Sequence, residues 1–371
     1  MNVFVFGSSL TSTYWNGAAT YYRGIYKNLY RLGYSITFAE PDIYKRQQNR
    51  DLTEVPYADV RVYRTPDDIP ALIREAAGCD LVIKHSGVGA EDDRLERELL
   101  SCQSGSTRVI FWDVDAPATL ARVESNSDDP FRALIPQYDA VLTYGGGDPV
   151  VQHYLRLGAK ACIPIYNALD PDTHHPVDPD PQLRCDLAFV GNRLPDREAR
   201  VDEFFLRTAS LAPEMSFVFG GEGWDGKPMP PNVRWIGHVG SRSHNRVNCS
   251  ARMVLNVNRE SMAKIGFSPP TRVFEAAGAA ACLITDHWEG IDLFFSPGNE
   301  ILPANSAEEV VRFLREITPD HARNIGSAML RCALQEHTYV LRAEQVDKIL
   351  HSLFREPANQ PLPAAQPALC S

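Results

Sequence analysis

Residues 266–290 read GFSPPTRVFEAAGAAACLITDHWEG, and the rest of the chain is organised around them. Pro269-Pro270 opens the stretch. Proline stands easily at the first turn of a helix, where its missing N–H has no partner. Thr271 to Ala277 reads as helix, and Gly278 is expected to end it in a left-handed conformation. Ala281-Cys282-Leu283-Ile284 is an apolar run of strand length. Thr285-Asp286 then puts polar groups at the strand's carboxyl end, where open α/β sheets bind ligands. Glu275 follows Phe274 on a helix of small residues. Such a carboxylate is either a helix-surface charge or a ligand hook.

Outward from there the chain alternates. Strands are expected at Asn2–Phe6, Ser35–Ala39, Val60–Tyr63, Asp80–Lys84, Arg108–Trp112, Ala140–Thr143 and Ala161–Tyr166. Helices fall between them, the first over Gly17–Leu32 with Tyr22, Ile25, Leu29 and Leu32 on one face. Beyond Asn167 the sequence turns polar and proline-rich, and the domain boundary is placed there. His174-His175 in this segment suggests a metal, but neighbouring residues rarely aim at one centre, so the pair reads as solvated linker. Strand, glycine turn and helix then resume: Asp186–Val190 with Gly191-Asn192-Arg193, Ser216–Phe219 with Gly220-Gly221-Glu222-Gly223, Val233–Gly237 with His238, and Arg252–Val257. Strands alternating with helices imply parallel sheets covered on both sides. The domains are read as 1–168 and 182–340, followed by a closing helix over 341–356 and a Pro/Ala-rich disordered tail over 357–371.

Composition limits the function. The 371 residues suit two cores, and 44% hydrophobic with 23% charged residues is ordinary for a globular protein. A net charge of −10 argues against a general grip on nucleic acid. No signal peptide and no apolar run of membrane-spanning length is present, so a cytoplasmic protein is expected. The eight cysteines form no C-x-x-C pair and indicate neither a zinc knuckle nor a redox motif.

Phe274-Glu275-Ala276-Ala277-Gly278, Cys282 to Asp286 and Phe295-Ser296-Pro297-Gly298-Asn299-Glu300 together resemble the donor-binding half of a GT-B glycosyltransferase. The similarity is greatest to the CgeB-like, spore-maturation-type group, and it runs from about Asp186 to Leu350. Glu336-His337-Thr338-Tyr339 followed by Arg342 is similar to that group's closing helix. One departure stands out: Phe267 occupies the position where many GT-B enzymes carry a second glutamate. The resemblance implies two Rossmann-like domains facing across a cleft, an α/β fold. It also implies transfer of a sugar from a nucleotide-diphosphate donor to an acceptor hydroxyl, with that donor as co-substrate and no metal or other cofactor.

On that reading Glu275 holds the donor's ribose, and the Gly191-Asn192-Arg193 turn meets its diphosphate. Helix N-termini and guanidinium groups both attract phosphate. Lys264 and Arg272 are cations beside Glu275, suited to a growing diphosphate charge, and Ser268 lies between them. Gly221 allows close backbone approach, and His238 sits in the segment similar to the base-reading one. On the acceptor side are Ser8, Ser9, Trp15, Asn16 and Gly17 in the first loop, and His85, Asp113 and Asp115 at strand ends. The first loop lacks G-x-G-x-x-G, so no nicotinamide cofactor is expected. Asp113-Val114-Asp115 has three readings: a metal-holding pair of a GT-A-type transferase, the opening of an aspartyl phosphatase site, or a general base. The base is favoured, with His85 as competitor; a structural strand-end cap remains open for both. A metal-dependent GT-A-type enzyme and a non-catalytic sugar-nucleotide-binding protein remain as alternatives.

Overall fold

In the computed structural model, residues 1–240 and 243–355 are described; the expected tail, 357–371, lies outside them. The chain forms two compact units. The first contains Met1–Asn167 and the helix Tyr339–Arg355, and the second contains Ala168–Thr338.

The first unit is built on seven parallel strands: β1 (Asn2–Phe6), β2 (Ser35–Pro41), β3 (Asp59–Tyr63), β4 (Leu81–His85), β5 (Arg108–Asp113), β6 (Ala140–Thr143) and β7 (Cys162–Pro164). Their order is β3-β2-β1-β4-β5-β6-β7. β1, β4 and β5 are apolar almost throughout and nearly fully buried, as expected of strands covered on both faces. Lys84 and His85 are the exceptions within β4; the Lys84 ammonium group donates to the His85 carbonyl and to Asp92, both at 2.7 Å. Tyr22, Ile25 and Leu29 of the Ala18–Arg31 helix are buried as the periodicity requires, whereas Leu32 falls past the helix end and is exposed. Gly24 of that helix is where the Tyr339–Arg355 helix crosses: a Cβ there would lie 2.3 Å from the Tyr339 ring.

The second unit has six parallel strands: β8 (Cys185–Val190), β9 (Phe217–Gly220), β10 (Val233–Trp235), β11 (Ala251–Asn256), β12 (Leu283–Asp286) and β13 (Leu302–Ala304). The order is β10-β9-β8-β11-β12-β13. Each unit thus repeats the doubly wound arrangement, in which the first strand has the second on one side and the fourth on the other. The second core joins Leu187 and Phe189 of β8, Phe217 and Phe219 of β9, Phe205 on the helical run after β8, and Trp224. That run begins at Pro195, widens into a π-helical segment over Asp202–Arg207 and ends at Leu211.

Two expectations within the organising stretch are corrected. Gly278 is not left-handed; it is the last residue of the Thr271–Gly278 helix, and Ala280 takes the positive φ instead. Glycine is required at 278 for space, since a Cβ would lie 2.5 Å from both the His174 carbonyl oxygen and a methyl of Leu169. The strand also starts later than expected, at Leu283, and runs through Thr285-Asp286. No helix among the described residues is long and apolar enough to cross a membrane.

Candidate functional site

In a sheet of this order the helices leave β8 and β11 on opposite faces, and the crevice lies beyond their carboxyl ends. Gly191-Asn192-Arg193 follows β8 there. It is locked to the glycine turn after β9: the Gly191 N–H donates to the Gly220 carbonyl (2.9 Å), Arg193 N–H to Glu222 O (2.9 Å), and Glu222 N–H to Asn192 Oδ1 (3.0 Å). Gly221 has φ +133°, and a Cβ on it would lie 2.1 Å from the Gly191 carbonyl oxygen. The glycines therefore let two turns pack against each other. Arg193, expected at a diphosphate, is held by Glu198 at 2.7 and 2.8 Å and lies over the Trp224 ring.

Arg197, one turn further on, is different. Its Nη2 donates to the Asn192 carbonyl, while its Nε is buried without a partner. Burial pulls its pKa down to about 10, and the charges of Arg272 and Arg259 act in the same direction. Arg259 is paired with Asp196 at 2.8 Å, but no carboxylate among the described residues pairs with Arg272. The charges of Arg197 and Arg272 thus work against each other. Lys264 does not join them: it is exposed and pairs with Glu260 at 3.3 Å.

Glu275 is buried, with 6% of its surface exposed. Burial alone would raise its pKa. The hydrogen bond from His244 and the charges of His244, His174 and Arg272 outweigh burial and hold the carboxyl well below the usual carboxylate range. His244 Nδ1 lies 3.2 Å from Glu275 Oε2, and its Nε2 lies 3.3 Å from the Val239 carbonyl oxygen. His174 is buried here too, which corrects the solvated-linker reading; only His175 faces solvent. One ligand atom from each of His174, His244 and Glu275 falls within 4.8 Å of the others, the one group among the described residues that could hold a metal ion. Ser268 is buried nearby in sequence, at the entry to the Thr271–Gly278 helix. His238 is exposed, with Nδ1 3.3 Å from Glu222. Asp286, at the end of β12, is fully buried and saturated: it accepts from Arg200 at 2.6 and 3.0 Å and from the Asn258 N–H at 3.0 and 3.1 Å. Its role is to brace the loop after β11.

In the first unit the corresponding loop is a closed network. Asn16 donates to the carbonyls of Ser9 (2.9 Å) and Ser12 (3.0 Å) and accepts from the Ser8 hydroxyl (2.9 Å). Ser8, Ser9 and Asn16 are buried in this network, Trp15 is left exposed with φ +47°, and Gly17 precedes the first helix with open space at its Cα. His85 is corrected as a catalytic base. It is fully buried, its Nε2 is 2.6 Å from the Tyr26 hydroxyl, its Nδ1 is 3.2 Å from the Trp112 carbonyl, and burial pulls its pKa down to about 3. Asp113 is likewise enclosed, accepting from Ser86 (2.6 Å), Tyr154 (2.5 Å), Thr119 (3.1 Å) and the Asp115 N–H (2.9 Å). With its oxygens so occupied, the metal-holding D-x-D reading fails. Asp115 is half-buried, at the start of the Ala116–Ser125 helix.

Residues 197–348 match the family model described as glycosyl transferase-like. No curated protein matches the chain in sequence. Among solved structures, HepE of Anabaena, in complex with UDP and glucose, is 11% identical with a TM-score of 0.67, covering 95% of this chain and 100% of that one. Sucrose-phosphate synthase of Thermosynechococcus elongatus is 15% identical (TM-score 0.68; 95% and 99% covered). The catalytic domain of starch synthase IV from Arabidopsis thaliana, bound to ADP and acarbose, is 13% identical (TM-score 0.69; 96% and 99% covered). Residues 197–348 are thus similar to glycosyl transferase-like domains, and the chain has the GT-B fold.

Sequence reading missed two residues that the structure brings to the crevice. Arg197 was hidden in a helix rich in charge. Its signal is positional: a cation in the first turn of a helix opposes the helix dipole and calls for a reason. His244 begins the short His244–Ser250 helix, and nothing in its neighbours marks it.

Proposed function

We propose that this protein is a GT-B glycosyltransferase that takes its sugar from a nucleotide-diphosphate donor held in the second unit, without a metal ion. One observation carries the reading: the charge of Arg272, which has no ion-pair partner among the described residues, acts on both Arg197 and the buried, ionised Glu275 beyond the ends of β8 and β11. Two like charges in one place are unfavourable unless an anion joins them, and guanidinium groups suit phosphate oxygens. Glu275, an acceptor of hydrogen bonds only, suits a pair of ribose hydroxyls. As the sugar leaves, charge grows on the diphosphate, and cations already in place stabilise it without rearranging. The Gly191–Arg193 turn shapes the floor, and Gly221 lets it close; Arg193, Asn192, His238 and Lys264 are left to structural or surface roles. Ser268 keeps a proposed place on the donor side, and the CgeB-like kinship and a cytoplasmic location remain part of the proposal.

On the acceptor side, Asp115 is the group assigned to take the proton from the incoming hydroxyl, since His85 and Asp113 are enclosed. Trp15 is the exposed aromatic of the first loop, offered to a sugar or similar acceptor.

Thermal-shift titration with UDP, ADP and their sugars, with and without EDTA, tests the donor half. A ligand that binds only the folded state raises the melting temperature. The expected result is a shift with one nucleotide that EDTA leaves unchanged and Glu275→Ala removes. No shift with any nucleotide would overturn the reading. With a donor in hand, Asp115→Asn should lower kcat while leaving donor affinity as it was.

A further inference from the structure

We propose that His174, His244 and Glu275 bind a divalent transition metal of the zinc type, and that an ion held there keeps the donor's ribose off Glu275. The exclusion rests on the donor reading of Glu275; the metal site does not.

The argument starts at His244. Its Nε2 faces only a carbonyl oxygen, that of Val239 at 3.3 Å, so this nitrogen carries hydrogen. The lone pair of the neutral ring then lies at Nδ1, which faces Glu275 Oε2 at 3.2 Å. Two lone pairs do not rest so close with nothing between them. Either a second proton on the ring or a cation must sit there. Ligand atoms around a tetrahedral ion with bonds of about 2.0–2.1 Å stand about 3.3–3.4 Å apart, so the His244–Glu275 spacing suits both, and the full set of three lies within 4.8 Å.

His174 separates the two. It is 6% exposed, its ring centroid lies 6.5 Å from that of His244, and its side chain has no hydrogen-bond partner among the described residues. An imidazole with so little access to water and no hydrogen bond within the chain gains from a partner. A proton between His244 and Glu275 gives His174 nothing, whereas a metal ion gives all three groups a partner. Two imidazoles and one carboxylate, with a position left open, form a donor set that zinc accepts and that hard ions such as magnesium do not favour. The scaffold is already built. Asn245, next to His244, donates to the Thr173 carbonyl at 2.9 Å, and Gly278 makes room for the His174 backbone. The Val239 carbonyl fixes the His244 tautomer, as a second partner does for a metal-bound histidine. Arg272, whose charge reaches Glu275, favours an anion at the open position.

Calorimetric titration of chelator-treated, full-length protein with Zn2+ tests the site. One equivalent should bind, at least tenfold more weakly in His174→Ala, with no comparable uptake of Mg2+. At a fixed free Zn2+ concentration, the affinity for UDP or ADP should fall in the wild type and stay unchanged in His174→Ala. If that variant melts early in EDTA, His174→Phe, which keeps a ring of similar size and no ligand atom, replaces it. Zn2+ uptake indifferent to His174 would overturn the site. Uptake that follows His174, with UDP and ADP binding indifferent to Zn2+, would uphold the site and overturn the exclusion. If neither nucleotide binds in the absence of metal, the donor reading fails, and the Zn2+ titration alone decides the site.

Discussion

Glu275 shows how a buried carboxylate stays charged. Its neighbours supply one hydrogen bond and three basic side chains, enough to offset the loss of water. Because its pKa is depressed in the folded state, the carboxylate contributes stability that is complete above its unfolded value, about 4.3, and is lost as pH falls toward the folded one. Glu275→Gln should therefore lower stability by about 3 kcal/mol at pH 7, the lower end for breaking a buried pair. The gap from wild type should narrow steadily below about pH 4, which melting curves across pH 7 to 3 would record. Arg197 presents the opposite balance. It is half-buried with its Nε enclosed and unpartnered, and the charge of Arg272 works against its own, so it costs the folded state energy. Arg197→Met is expected to raise the melting temperature by a few degrees while reducing nucleotide-diphosphate affinity at least tenfold. A residue whose removal stabilises the protein and abolishes binding is kept for binding. An unchanged affinity would return Arg197 to the structural residues.

At the scale of elements, what was legible followed chemistry that is local. β1, β4, β5 and β8 are runs of Val, Ile, Phe and Leu, and their apolar character alone marks them. The doubly wound order was legible as alternation. β13 was not, because three residues with a proline at the centre carry no pattern. The Gly191 and Gly220 turns were legible as turns, but what they turn toward was not: each packs on the other, a pairing between strands thirty residues apart. His174 was misread for the same reason. A proline-rich, polar segment looks solvated until the Thr271–Gly278 helix is laid against it. That contact is testable. Gly278→Ala would drive a methyl to 2.5 Å from the His174 carbonyl oxygen and Leu169, and the cost should be about 1–3 kcal/mol, as for overpacking elsewhere. If the His174 loop is part of the site, the same substitution should weaken nucleotide binding as well; chemical denaturation and titration of one preparation would show both.

Over the whole molecule, the Tyr339–Arg355 helix belongs with the first unit although the second unit precedes it in the chain. Tyr339, Ala343, Val346, Ile349 and Leu350 are all buried, and Tyr34 donates a hydrogen bond to Asp347 at 2.6 Å. Burying side chains of the larger sizes contributes about 1.5–3 kcal/mol each. A chain ending at Thr338 should therefore lose the first unit's cooperative melting while the second unit keeps its own. Hydrogen exchange read separately over β1–β7 and β8–β13 would distinguish this from uniform loosening.

The same arrangement has a consequence for synthesis. The ribosome makes Met1–Asn167 first, yet the helix that covers Gly24 emerges only after all of Ala168–Thr338 has been made. At about 5–20 residues per second, that interval is about 10–30 s. During it the first sheet stands with one apolar flank open, while the segment growing behind it already holds everything its own core requires. The half begun first is thus the last to be sealed, and chaperone contacts on nascent chains should gather on its uncovered first helix.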